Sequence, residues 1–159
     1  MQVSCEREPA GEPVAQAAHA PFISISESQV QSIEVRRRDG IVRCRRIDGR
    51  WLVVEPAGSA APSDLVAGLI GTLTELPDVE VVHHPTDLAQ YGLDAPVSQL
   101  TLAPMTGASI IVRLGNRNPS GTAVYAQRSL SSSVYLVGLN ARYYEDLLFD
   151  AVQPTKGPP

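Results

Sequence analysis

The sequence predicts an α+β domain in which antiparallel β-meanders pack against helices. Two Asp-Gly pairs, Asp39-Gly40 and Asp48-Gly49, separate short segments that alternate apolar and polar residues, the period of a half-buried strand. Two further segments carry apolar residues at helical spacing. The chain has 159 residues, of which 43% are hydrophobic, and this suits one globular domain.

The first half of the domain is predicted to contain three strands and a helix. The strands are expected at residues 32–36, 42–45 and 51–54. Because Gly accepts a positive φ, each Asp-Gly pair fits a two-residue hairpin turn, so the three strands form an antiparallel meander. A helix follows from Ser63 or Pro62 and ends before Pro77.

The second half is predicted to contain another meander and another helix. A strand at 79–82 leads to a short helical turn at 86–91, which Thr86 caps and Gly92 stops. Asn140 caps a last helix. Four strands precede that helix, at residues 99–103, 109–114, 123–127 and 134–137. The order is therefore βββα, β, short helix, ββββα, and the two halves suggest a degenerate internal repeat.

Composition divides the chain into one domain and two tails. Residues 1–21 contain Pro and Gly without apolar periodicity, and residues 153–159 are rich in Pro, so both tails are predicted to be disordered. The domain spans 22–152, with halves at about 22–85 and 86–152. No apolar run reaches the 18 or so residues that a membrane-spanning helix needs, and no intact signal peptide is visible.

The apolar positions of these elements predict the core. It is expected to contain Ile33, Val35, Trp51, Val53, Leu65, Leu69, Ile70, Leu73, Val81, Leu100, Ile110, Val112, Tyr125, Leu136, Leu147 and Leu148. The apolar face of the last helix is expected to hold Tyr143, Tyr144, Leu147 and Leu148. Cys44 shares the face of Val42, so we expect a small, reduced core residue there.

Composition and spacing argue against several functional classes. Two cysteines exclude a disulfide framework and a multi-cysteine zinc site, and 5% aromatics with a net charge of −4 argue against a nucleic-acid partner. His83 and His84 are adjacent on a strand, so their side chains point to opposite faces and do not chelate one ion. We therefore expect no catalytic residue, no metal site and no cofactor.

Four stretches of the chain carry a family resemblance. They lie at residues 30–35, 49–56, 87–96 and 114–126. The most specific is 87–96, which reads Asp-Leu-Ala-Gln-Tyr-Gly-Leu-Asp-Ala-Pro. Together the stretches resemble the bacterial domain of unknown function DUF4340, a family without established catalytic residues.

The resemblance implies a location and a class of partner. Members of that family usually follow an N-terminal membrane anchor, and many occur with ABC-type transport and gliding-motility components. We therefore expect a non-enzymatic accessory or interaction domain, tethered outside the cytoplasm and bound to a protein of a membrane transport system. This chain shows no anchor, so a cytoplasmic location is the alternative, and the oligomeric state stays open.

Positive charge is concentrated in one segment of an otherwise acidic chain. Seven arginines and two aspartates give residues 36–50 a net charge of +5, which leaves −9 for the rest. With the first Asp-Gly pair as the turn, Arg36 lies directly opposite Arg43 and Glu34 opposite Arg45, so like charges meet and need neutralising. Two interpretations remain open. One is a solvated or internally paired face. The other is a site at Arg36, Arg43 and Arg45 for a protein partner or for an anion, such as a lipid headgroup or a glycan.

The residues Tyr91, Gly92 and Leu93 join the two predicted halves. One interpretation is a hinge or a corner on which a partner docks. The other is a helix stop, with Gly92 in a left-handed conformation and Leu93 placed in the core.

Overall fold

A computed structural model describes residues 19–20, 22–75, 79–82 and 85–152. Within these ranges the chain forms one sheet of nine strands and two α-helices. The strands are β1 (His19–Ala20), β2 (Val30–Arg37), β3 (Gly40–Ile47), β4 (Arg50–Glu55), β5 (Val79–Val82), β6 (Ser98–Pro104), β7 (Ile110–Arg117), β8 (Ala123–Arg128) and β9 (Val134–Gly138). The helices are α1 (Ser63–Thr74) and α2 (Asn140–Val152).

The strands lie in the order β1-β5-β9-β8-β7-β6-β2-β3-β4, and every neighbouring pair is antiparallel. Pairing of β2 with β6 joins the two meanders side by side. The chain returns through α1 to place β5 beyond β9, and α1 packs against α2. The α+β prediction of antiparallel meanders with packed helices is confirmed, and the internal repeat stays a prediction.

Alternation along the strands gives the sheet two different faces. On the inner face, Ile33 and Val35 of β2 and Val42 and Cys44 of β3 join the helices in one apolar core. On the outer face the same strands carry mainly polar and charged side chains, the pattern of an antiparallel sheet with one solvated side. The second Asp-Gly turn forms as predicted, because Ile47 pairs with Arg50.

The core is close to the predicted set, with differences at its margin. Ten of the sixteen predicted core residues are buried, among them Ile33 and Trp51. The partly buried ones are Val53, Leu65, Ile110, Tyr125, Leu136 and Leu147. Phe22 is fully buried and was missed, because it lies beside the predicted tail, where no strand or helix period marks it.

The predicted apolar face of α2 is partly wrong. Tyr143 is 58% exposed, whereas Glu145 is fully buried. The buried residues of this helix are Ala141, Glu145, Leu148, Phe149 and Val152. Tyr144 is partly buried and packs against the core, so of the two tyrosines only Tyr143 departs from the predicted face. Glu145 lies inside the protein, where Ser98 donates a hydrogen bond to it.

The short helical turn and the N-terminal segment differ from their predicted structures. The short helical turn is a 3-10 helix at Leu88–Tyr91, and Asp87, not Thr86, caps it by accepting a hydrogen bond from the Ala89 N–H at 3.0 Å. The strand β1 lies within the stretch predicted as the N-terminal tail. The rest of both predicted tails, together with His83 and His84, lies outside the described residues.

Candidate functional site

The three arginines singled out by the sequence lie on one face of the sheet. Arg36 belongs to β2, and Arg43 and Arg45 belong to β3. All three side chains are exposed on the outer face. The alternation of the strands therefore brings them together as the sequence indicated.

The predicted pairing of these arginines is wrong by two residues. The first turn is made by Arg38 and Asp39, so Glu34 lies opposite Arg43 and Arg36 lies opposite Ile41. A shift of two residues keeps every side chain on its predicted face and changes only its partner. The observed register is favoured because it sets a carboxylate, not a second guanidinium, against Arg43.

Part of the positive charge is neutralised within the sheet. The Arg36 Nη2 donates to Glu34 Oε2 at 3.0 Å, and Arg43 Nη2 lies 3.6 Å from the same oxygen. Arg43 also forms an ion pair with Glu55. Arg45, in contrast, forms no ion pair with any residue that the structure describes.

Apolar side chains lie exposed beside these arginines. Ile47, Leu52 and Val54 are 42%, 44% and 45% exposed. Leu52 lies directly opposite Arg45, and β4 is the last strand at this end of the described sheet. We call the outer surface of β2, β3 and β4 the open face. Its members are Arg36, Arg43, Arg45, Ile47, Leu52 and Val54.

A buried ionic cluster lies on the other side of the sheet. Ser98 Oγ donates to Glu145 Oε2 at 2.7 Å, while Glu145 Oε1 accepts no hydrogen bond from the described residues. Two guanidinium groups are nearby, with Arg142 Nε at 3.8 Å and Arg37 Nη1 at 4.0 Å from Oε1. Burial raises the pKa of Glu145 to about 7, against the opposing effects of Ser98 and the two arginines. This cluster was not predicted, because Arg37 and Ser98 are far from Arg142 and Glu145 in the chain.

The corner at Tyr91–Leu93 is packed within the domain. The ring of Tyr91 meets that of Tyr125 edge to face at 4.8 Å between centroids. Gly92 has a φ of 73° and ends the 3-10 helix, and Leu93 is 3% exposed. A Cβ atom on Gly115 would lie 2.3 Å from the Tyr91 carbonyl oxygen, so only glycine permits this approach. The role of the corner in hinge motion or docking stays a prediction.

Cys44 and the possible metal ligands of the described residues form no surface site. Cys44 is 1% exposed, and burial raises the pKa of its thiol to about 12, so the thiol stays protonated. No three His, Cys, Asp or Glu side chains of the described ranges come together as a metal site. None of the described helices is long and apolar enough to cross a membrane.

Comparison with known proteins identifies a sequence family. Residues 51–155 match the sequence model of a family described as a domain of unknown function, DUF4340, which is about two thirds of the chain. No curated protein and no solved structure matches. The matched segment begins inside β4, so β2, β3 and all seven arginines of residues 36–50 lie before it.

Proposed function

We propose that this chain, which belongs to the DUF4340 family, is a non-enzymatic interaction module whose open face docks a protein partner. The partner would be a component of an ABC-type membrane transport system, and the domain would be held outside the cytoplasm. The resemblance seen in the sequence supports the location and the class of partner. The open face is the observation that carries the docking role.

The open face has the composition of an interface. Three apolar side chains are each more than 40% exposed, and Leu52 lies directly against Arg45. The buried centres of protein interfaces are enriched in apolar groups and in arginine, since arginine combines a long apolar stem with a fork of donors. A partner surface with apolar residues framed by carboxylates would therefore be complementary to it.

A non-enzymatic role agrees with the position of the two groups whose pKa values are raised. Cys44 is 1% exposed and Glu145 is fully buried. Both pKa values are raised chiefly by burial, so the shifts have a structural cause. Both side chains are buried, so neither group is presented to a substrate at the surface.

The test is site-specific photo-crosslinking in the native cells. A photoreactive amino acid at Leu52 samples the open face, and one at Leu130 is the control. Leu130 is 100% exposed and lies between β8 and β9, in the other meander. We expect Leu52 alone to crosslink a membrane transport component, and Arg45→Glu to abolish that adduct. Equal products from both positions would contradict the proposal.

A second candidate is the binding of an anionic lipid headgroup or glycan by Arg36, Arg43 and Arg45. The observation in its favour is that Arg45 lacks an ion pair among the described residues while sharing a face with two more exposed guanidinium groups. Each basic side chain near an anionic membrane contributes about 1 kcal/mol. Replacing all three by Gln should therefore lower affinity for anionic vesicles by roughly two orders of magnitude. Absence of wild-type binding at low salt would eliminate this candidate and leave the first intact.

A further inference from the structure

A cavity of about 410 Å³ lies between the end of β7 and the first two turns of α2. It shares no residue with the open face. Its lining side chains are Arg117, Leu139, Asn140, Arg142, Tyr143 and Asp146. The volume falls within the range of roughly 300–1,000 Å³ that is usual for small-molecule sites.

Arg142 is held firmly at the edge of this cavity. Its Nη2 donates to the Gly115 carbonyl oxygen at 3.0 Å, and its Nε lies 3.8 Å from Glu145 Oε1. The side chain is only 16% exposed. The remaining nitrogen, Nη1, has no hydrogen-bond or ion-pair partner in the part of the chain that the structure describes. A donor fixed in this way loses little conformational entropy when it binds a ligand.

Arg117, at the end of β7, supplies a second guanidinium group to the lining of the cavity. The pairing of β7 with β8 shifts register between Leu114 and Arg117, which is the mark of a bulge or irregularity. Such features redirect side chains and are common beside functional sites. The Arg117 side chain is exposed and forms no ion pair with the described residues.

The charges around the cavity do not balance. Burial lowers the pKa of Arg142, and the positive charges of Arg37 and Arg117 lower it further, while Glu145 and Asp146 act in the opposite direction. Asp146 is the one carboxylate among the described lining residues, and Arg37 Nη1 already binds it at 2.8 Å. Arg142 has the Glu145 carboxylate beside it, whereas Arg117 has no ion-pair partner among the described residues, so the charge of Arg117 on the cavity wall is not neutralised.

We propose that this cavity binds a small organic anion whose carboxylate or phosphate group is held by Arg117 and Arg142. Planar guanidinium groups match both kinds of oxyanion, often through two parallel hydrogen bonds. Leu139 and Tyr143 form an apolar and aromatic wall, so the rest of the ligand is apolar or aromatic. The site goes beyond the docking role, and neither depends on the other.

The test uses the full chain labelled with ¹⁵N and titrated at low ionic strength. The probes are benzoate, phenyl phosphate and the neutral analogue benzamide. We expect both anions to shift the amide signals of Gly115, Asn140 and Arg142, and benzamide to leave them in place. The tighter of the two anions identifies the oxyanion that the site prefers.

Two variants on the same strand separate specific binding from general charge attraction. Arg117→Gln removes one of the two guanidinium groups that bind the anion, and should weaken binding of both anions roughly tenfold or more. Arg113→Gln removes the same charge from β7 outside the cavity and should leave binding within about twofold. The proposal is overturned if neither anion shifts these signals, if benzamide binds as well as benzoate, or if both variants weaken binding equally.

Discussion

Neighbouring arginines of the first hairpin lie in two different environments. On the open face, the side chains of Arg36 and Arg43 are 53% and 48% exposed, and their ion pairs are with Glu34 and Glu55 at the surface. On the inner face, the side chains of Arg37 and Arg46 are each only 20% exposed. The two environments are one residue apart in the chain.

The inner arginines are part of the packing of the core. The guanidinium of Arg37 lies 4.5 Å from the ring centroid of Phe149, and that of Arg46 lies 4.7 Å from the ring of Trp51. Arg46 also donates to the Glu27 carbonyl oxygen at 2.6 Å. Each therefore combines a cation–π contact with hydrogen bonds at the border of the core.

The difference shows that a cluster of arginines in a sequence is not one site. Because successive side chains on a strand point to opposite faces, the hairpin divides its charge between an exposed surface and the edge of the core. Functional predictions therefore apply only to Arg36, Arg43 and Arg45, and stability predictions apply to Arg37 and Arg46.

The largest expected effect is on the inner face, at Trp51. Trp51 is 2% exposed, and its Nε1 donates to Glu27 Oε2 at 3.1 Å beneath Arg46. Trp51→Ala should lower the free energy of unfolding by about 3–5 kcal/mol, measured by urea denaturation. Leu52→Ala, the next residue and on the open face, should lower it by about 1 kcal/mol or less. A Trp51→Ala variant that melts within a degree or two of wild type would contradict the placement of Trp51 on the inner face.

The next largest effect is the pH dependence of stability caused by Glu145, whose carboxylate lies near Arg37 of β2. Its pKa is about 7 in the folded protein against 4.5 in the unfolded chain. Between these values the folded state binds more protons, so the free energy of unfolding falls as the pH rises through this window and is constant above it. The fall attributable to Glu145 is about 3 kcal/mol.

Glu145→Gln should remove this fall. The free energy of unfolding of the variant, relative to that of wild type, should therefore increase from pH 5 to pH 8. Urea denaturation at the two values measures the gain. Glu80→Gln removes the same charge from an exposed position on β5 and is the matched control. Parallel pH curves for wild type and Glu145→Gln would show that Glu145 titrates normally.

A smaller effect compares Arg37 with Arg36 directly. Arg37→Gln loses the hydrogen bond to Asp146 and the contact with Phe149, and should lower stability by about 2 kcal/mol. Arg36→Gln loses only a surface ion pair and should stay within about 0.5 kcal/mol of wild type. Equal losses in thermal denaturation would remove the distinction between the two faces.

The smallest effect is at Glu34, which pairs with two exposed arginines. Glu34→Gln should lower the free energy of unfolding by about 0.5 kcal/mol at low ionic strength. In 1 M NaCl, where the screening length is about 3 Å, the loss should disappear. A loss that is the same at both salt concentrations would point to packing and not to charge.

Local signals in the sequence were sufficient for the elements and the sheet faces. Alternation located β2, β3 and β4, and Asp48-Gly49 located a turn, because both depend on residues close together in the chain. The register of the first hairpin was missed because Arg38-Asp39 and Asp39-Gly40 both fit a tight turn. The two alternatives differ in what lies opposite Arg43, which is Glu34 in the observed register and Arg36 in the other.

Contacts between distant residues could not be predicted in the same way. A glutamate in a helix is normally expected to be exposed to solvent. Glu145 is buried because Ser98 and Arg37, at least 47 residues away in the chain, supply its partners. Arg117 and Arg142 likewise come to one cavity only because β7 and α2 are brought together by the whole sheet. Exposed Arg36, Arg43 and Arg45 could be predicted, since strand alternation alone sets their direction.

The position of β2 in the sheet bears on where this protein can be cut. The segment that matches the family begins at residue 51, yet β2 and β3 lie before it and separate β4 from β6 in the sheet. A fragment trimmed to the match would leave β4 without its neighbour and expose the bare backbone of β6 along a central strand. Such edges pair with other chains and aggregate. We therefore expect the cooperative folding unit to include β2 and β3, although both lie before the matched segment.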